Sequence, residues 1–375
     1  MCHRPRASAL LALLLATAAP AAAQSGDEHH ADQYEFADSH FHLTNYVQEG
    51  TDVRDFLRIM GTRAGRSTLF GIPLQQTWSY ANSGSYAPTY YLQTDAPLYY
   101  YSFTDAYIAM AYRSLPPEQR ARFDPMITGF DPADMYAAAH IRRVLRTFPG
   151  VFTGIGEFTI HKEFVSSKVA GEAASLTNPA LDSILSFAAQ SGLVVLIHND
   201  IDMPFAKKGT EPVYLAQMKD LLRRHRNATI IWAHMGLGRV VSPVLADASA
   251  PTAERNAGFG AIVEEMLADP TLRHVSFDIS WDEVAKYLLA TAETTRRAAA
   301  MINRYPDRFL FGSDVVAPKD SAQYFALFDA YKPLWALLTP EASLKVRRGN
   351  YERLFDAGRT RVRAWEQAQG LTATR

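Results

Sequence analysis

Short apolar runs and longer amphipathic stretches alternate along this chain. Eight runs have the Val-, Ile- and Phe-rich character of strands buried on both faces. They are residues 34–42, 67–74 (STLFGIPL), 125–130 (PMITGF), 151–158 (VFTGIGEF), 193–198 (LVVLIH), 229–234 (TIIWAH), 275–280 (VSFDIS) and 309–314 (FLFGSD). Between them lie PADMYAAAHIRRVLRTF, NPALDSILSFAAQSG, PVYLAQMKDLLRRH and AGFGAIVEEMLADP, several opening at Asp, Asn or Pro and closing at Gly or Pro, as helices do. The repeated strand-helix alternation predicts an α/β fold of (β/α)8 TIM-barrel type, ahead of an open doubly wound sheet. One long insertion interrupts it, from Gln75 to about Pro116, dense in Tyr, Ser and Gly. On the β2-α2 side of a barrel it is expected to be a lid or substrate loop, or else a packing or dimer contact.

Length and composition narrow the class. A chain of 375 residues can hold two average domains or one large barrel. A hydrophobic share of 48% with 21% charged residues is ordinary for a folded globular protein. The formal net charge of -1 offers no general attraction to phosphate backbones or anionic lipid, so neither nucleic acid nor a membrane is expected as partner. A small-molecule substrate is expected, and a homo-oligomer is compatible with everything above.

The N-terminus reads as a targeting segment. His3, Arg4 and Arg6 precede an apolar run from Ala9 to Ala19, and PAAAQ follows with small residues at Ala21 and Ala23, the pattern of a cleavable export signal. The expected organisation is a signal peptide over 1–23, a flexible tail over 24–33, the barrel over 34–360 and a helical tail over 361–375, in a periplasmic or secreted protein. Cys2, the single cysteine, lies inside the signal. The mature chain therefore has no thiolate chemistry, and any metal must be held by His, Asp and Glu.

The strand ends carry that chemistry. An H-x-H triplet such as His40-Phe41-His42 arises by chance about 0.3 times in a chain with 11 histidines among 375 residues. Alone it decides nothing. Yet the first run ends at His40 and His42, the fourth at Glu157, the fifth at His198, the sixth at His234 and the eighth at Asp314. In a barrel the C-terminal ends of the strands ring one cavity, so these groups converge. Imidazoles and carboxylates without thiolate match a catalytic site for Zn²⁺, with Mn²⁺ or Fe²⁺ as alternatives.

DSHFH, GIGEF, LIHND, WAHMG, SFDIS and FGSDV, in that order and spacing, resemble the amidohydrolase superfamily of metal-dependent barrel hydrolases, in particular its amidohydrolase-2 branch. The closing VRRGNYERLF is similar to that branch's terminal helix, with Tyr351 where Ala is usual. The resemblance spans about Asp38 to Phe355. It implies that His40, His42, His198 and Asp314 bind a divalent metal, that Asp314 also serves as general base, and that His234 assists beside the reacting water. In relatives with two ions, His198 and His234 hold the second, joined to the first by a strand-four carboxylate; Glu157 stands at that place. One ion is expected rather than two.

The activity so implied is hydrolysis of an amide, ester or lactone carbonyl by metal-activated water. Alternatives are decarboxylation of a small aromatic acid, a TatD-like phosphoesterase, and a periplasmic ligand- or metal-binding protein with a degenerate site. Arg239, Trp78, Tyr80 and Ser280 are candidate substrate contacts; Asp278 and Ser280 serve equally well as hydrogen-bonding groups of the barrel interior. Asp38, Ser39 and Asn199 are candidates to orient the ligand rings.

Overall fold

Eight parallel strands follow one another around a single sheet in chain order. They are β1 (Phe36–Asp38), β2 (Ala64–Leu69), β3 (Phe123–Ile127), β4 (Gly154–Thr159), β5 (Val194–His198), β6 (Thr229–Trp232), β7 (Val275–Asp278) and β8 (Phe309–Leu310). The ring closes where the chain beyond β8 returns to the chain beyond β1. Ser39 N–H donates to Phe311 O (3.1 Å), Asp314 N–H donates to His40 O (2.7 Å), and Phe41–His42 pairs with Val315–Val316. The protein is a (β/α)8 TIM barrel. This computed structural model describes residues 34–45, 49–72, 103–162, 175–202, 212–238 and 259–371, with Met1 and three two-residue strands between 165 and 173. The expected signal and tail over 2–33 lie outside the described residues, as do Trp78, Tyr80, Arg239 and most of the Tyr-rich insertion.

Local sequence explains the helices that wrap the sheet: α1 (Val53–Met60), α2 (Thr104–Arg113), α3 (Ala137–Thr147), α4 (Pro179–Ser191), α5 (Leu215–Arg224), α6 (Phe259–Ala268), α7 (Asp282–Leu288), α8 (Ala292–Arg304), α9 (Ser321–Ala330) and α10 (Asn350–Ala368). In α4 the Asn178 side chain caps the first turn, Pro179 opens it, and Gly192 at φ 82° closes it, each residue where its backbone preference favours it. No described helix is long and apolar enough to cross a membrane.

Period-two alternation sorts the strand residues into two cores. Val195 and Ile197 of β5 belong to the layer between sheet and helices, whereas Val194 and Leu196 join Met126, Ile231 and Leu310 in a separate interior cluster. His198, two positions beyond Leu196, therefore points inward at the top of that row. α10 supplies the floor. Its Tyr351 and Phe355 enter the interior cluster, and the Tyr351 hydroxyl donates to buried Asp124 (2.7 Å), which also pairs with Arg66 and Arg359. The tyrosine that departs from the usual alanine thus fills the base of the barrel. The same helix runs unbroken across residue 360, with Val362 and Glu366 buried, so the expected tail is docked on the barrel for most of its length.

Candidate metal centre

Six side chains of the centre, His40, His42, Glu157, His198, His234 and Asp278, are at most 2% exposed, while the Asp314 carboxylate retains 12%. Specific backbone features aim several of them. On β4, Ile155 and Phe158 both face the helices although three residues apart, because the β4–β5 register shifts between Val195 and Ile197. Such a bulge re-aims a side chain, and here it turns Glu157 into the barrel. Gly156 adopts φ 118°, and a Cβ there would sit 2.1 Å from Leu196 O, so only glycine fits. Gly312 allows another close approach: its Cβ would lie 2.6 Å from His40 Cβ. His234 (φ 54°) and Asp314 (φ 52°) occupy left-handed backbone, a conformation that non-glycine residues hold only when the surroundings impose it.

The four imidazoles share one design, in which one nitrogen is anchored and the other faces the centre. His40 Nδ1 lies 2.9 Å from Asp278 Oδ2, and His42 Nδ1 donates to Gly71 O at 2.8 Å. His198 Nε2 lies 3.0 Å from Asp200 Oδ1, and His234 Nδ1 lies 2.8 Å from Ser280 Oγ, whose hydroxyl donates to Asp278. The free nitrogens converge on two carboxylates. His40 and His42 Nε2 are 3.7 and 3.6 Å from Glu157 Oε2, and each is 3.2 Å from Asp314 Oδ1. His198 Nδ1 and His234 Nε2 lie 2.6 and 3.5 Å from the other oxygen, Glu157 Oε1.

The electrostatics are those of a site built for cations. Burial opposes the charged forms, yet His40 and His198 hold Glu157 ionised well below the usual carboxylate range, and His40 does the same for Asp314. Burial alone would lower His40, but Asp278, Asp314 and Glu157 push it well above the usual imidazole value. For His234 burial prevails, and its pKa falls. With the distal nitrogens anchored, neutral imidazoles present lone pairs to carboxylate oxygens, an arrangement that requires a proton or metal between them. Among the described residues, His40 Nε2 and His234 Nε2 are buried without a hydrogen-bond partner. His40–His42–Glu157 and Glu157–His198–His234 each gather their donor atoms within 4.8 Å, so the residues fit divalent metal, with Glu157 common to both groups. Nitrogen and oxygen donors suit Zn²⁺, Mn²⁺ or Fe²⁺.

The Amidohydrolase family matches residues 37–357. The chain belongs to the amidohydrolase family. No curated protein matches it. Among solved structures, this amidohydrolase is similar to 2,6-dihydroxybenzoate decarboxylase from Rhizobium, at 13% identity over 86% of this chain and 99% of that one, TM-score 0.49. It is similar to a Pseudomonas putida protein provisionally assigned as a 2-pyrone-4,6-dicarboxylic acid hydrolase, at 14% identity over 86% and 98%, TM-score 0.49. Amidohydrolase 2 from Bifidobacterium longum subsp. infantis has 14% identity over 86% and 98%, TM-score 0.43.

Not every sequence expectation about this amidohydrolase's side chains survives. His40, His42, Glu157, His198, His234 and Asp314 are brought together, but Asp38, Ser39 and Asn199 do not touch the ligand rings. Asp38 accepts from the His40 and Ser313 backbone, Ser39 donates to Phe311 O, and Asn199 donates to Asp200 O. Asp200 and the Gly71 carbonyl, which no sequence pattern singled out, hold rings instead. Ser280, a candidate substrate contact, is fully buried between Asp278 and the rings of His40 and His234. Outside the centre, His161 stacks on Tyr214 at 3.8 Å, and His225 is buried beside Asp182.

Proposed function

We propose that the protein is a metal-dependent hydrolase that cleaves an amide, ester or lactone, with Asp314 moving the proton. The observation that carries this is the shared orientation of the four imidazoles, one nitrogen anchored and the other turned toward Glu157 or Asp314, which is how ligand rings are prepared for an ion. His40, His42 and Asp314 would hold one cation, and His198 and His234 a second, with Glu157 offering one oxygen to each group. This reading takes two ions where one was expected from sequence. When bound, a divalent cation supplies Lewis acidity, making water acidic enough to ionise near neutral pH and polarising a carbonyl oxygen.

This chain's own residues do the rest. Asp314 stays ionised and is the part of the centre that solvent reaches, so it can accept a proton from the attacking water and return it to the leaving group. His234 Nε2, turned inward toward Glu157 (3.5 Å), is placed to hold the second cation together with His198. Asp278 and Asp200 keep His40 and His198 in one tautomer through the cycle. Two cations sharing a carboxylate also serve phosphoester cleavage, a second reading that the position of Glu157 favours. The sequence of residues 1–23 supports export, which a mature N-terminus near Gln24 would bear out.

The test is elemental analysis combined with turnover. Two equivalents of metal are expected, falling to one or none in Glu157→Gln. Asp314→Asn should lose hydrolysis across a panel of lactones, aryl esters and bis(p-nitrophenyl) phosphate while it still retains metal. Hydrolysis of the phosphodiester alone would select the second reading. No metal even after reconstitution with Zn²⁺ or Mn²⁺ would overturn both.

A further inference from the structure

The centre opens to solvent on its Asp314 side, and there it meets a cavity of about 780 Å³ lined by Asp314 and by residues of α7 and α9. Its inner wall is apolar, from Trp281, Ala285, Val315, Val316 and Leu327, and its lip carries Asp282, Lys286 and Gln323. The Lys286 ammonium is engaged by Asp282 (2.7 Å) and Glu283 (3.0 Å), so the lip is polar without offering a dedicated site for an anion. Cavities of this size typically take a small molecule and are mostly apolar, with a few polar groups that orient it. Here the polar groups at the inner end are Asp314 and its neighbour Ser313.

Two features make the space specific. Ala285 on α7 and Ala326 and Ala330 on α9 line it, and a larger side chain at any of them would occupy it. Trp281 divides it from the histidines: its indole lies 5.0 Å from the His234 ring, and its backbone holds φ 75°, a strained conformation for a bulky residue. Strain kept at such a place accords with a functional wall.

We propose that this groove between α7 and α9 receives an apolar alkyl or aryl substituent of the substrate, with the scissile group at Asp314. The inference rests on the hydrolase reading and adds to it the substrate class. The probes are acetohydroxamate, hexanohydroxamate and benzohydroxamate, whose common head binds metal, titrated calorimetrically into the metal-loaded protein. Affinity should rise from the acetyl to the hexanoyl compound by up to about fourfold per buried methylene, and benzohydroxamate should also exceed acetohydroxamate. Ala326→Trp and Ala330→Trp, both at exposed helix positions, should each bring the hexanoyl-to-acetyl affinity ratio toward one. Equal affinities in the natural protein, or a ratio that survives both substitutions, would overturn the groove while leaving the hydrolase reading intact. Failure of the protein to take up metal in the first place would instead refute the metal centre on which the proposal rests.

Discussion

Asp278→Asn tests whether the tautomer of His40 is set by a single carboxylate. Asp278 Oδ2 lies 2.9 Å from His40 Nδ1, while Oδ1 accepts from the backbone N–H of His234 (2.7 Å), from the backbone N–H of Ser280 (3.2 Å) and from the Ser280 hydroxyl. Asparagine keeps the shape and one acceptor. Three donors hold that acceptor in place, so the amide cannot turn around without confronting them with its own N–H groups. Its NH₂ is then forced against His40 Nδ1, which must give up its proton. The proton moves to Nε2, the nitrogen needed for metal.

The loss is that of a charge-assisted hydrogen bond, about 1.5–3 kcal/mol, and metal affinity should fall roughly 10- to 100-fold, as when partners that orient a ligand are removed. Competition with a chromophoric chelator near neutral pH measures it, and circular dichroism checks that the variant is folded. Ser280→Ala, which removes a neutral hydroxyl from Asp278 and from the rings of His40 and His234, should cost less. An Asp278→Asn protein that binds metal as tightly as the natural one would refute the argument that this contact sets the ring.

Gly312→Ala places a methyl 2.6 Å from His40 Cβ; overpacking of this kind costs about 1–3 kcal/mol, and chelator competition should also show weakened metal binding. Tyr351→Phe removes the bond to Asp124 and should lower the urea midpoint by an amount equivalent to about 1–3 kcal/mol, with metal content unchanged because the site lies at the opposite end of the barrel. Asp105 is buried, and burial raises its pKa from 3.8 to about 6 although Thr128 and Gly129 donate backbone N–H groups to it. The folded state therefore holds this proton more tightly than the unfolded chain, and stability is lost as pH rises from about 4 to 6. Asp105→Asn escapes that loss: its stability relative to the natural protein should improve by about 2 kcal/mol between pH 4 and pH 7, and a pH-independent difference in urea midpoints would contradict the assignment.

Much of this protein was legible one residue at a time. Strand composition and period-two alternation are local properties, so His198 at the head of the Val194–Leu196 row, and the barrel order itself, could be read from the chain. The ligand types follow from the same locality, since a buried strand that ends in His or Asp exposes a polar group at the rim of a barrel. Asn178, Pro179 and Gly192 likewise announce α4 by their own backbone preferences.

What the sequence could not determine depends on register between distant strands. Whether Glu157 faces the helices or the cavity is decided by one bulged residue between β4 and β5, because a shift of one position sends a side chain to the opposite face. Asp278 and His40 are 238 positions apart, and Gly71 offers His42 a backbone carbonyl that carries no side-chain signature. Asp38 and Asn199, adjacent in sequence to the ligands, tie backbone together instead. Sequence alone determined which chemical groups stand at the strand ends. Only the tertiary structure decided which nitrogen of each ring is free and that Glu157 faces both histidine pairs, because those facts are set by contacts between strands rather than by residues along them.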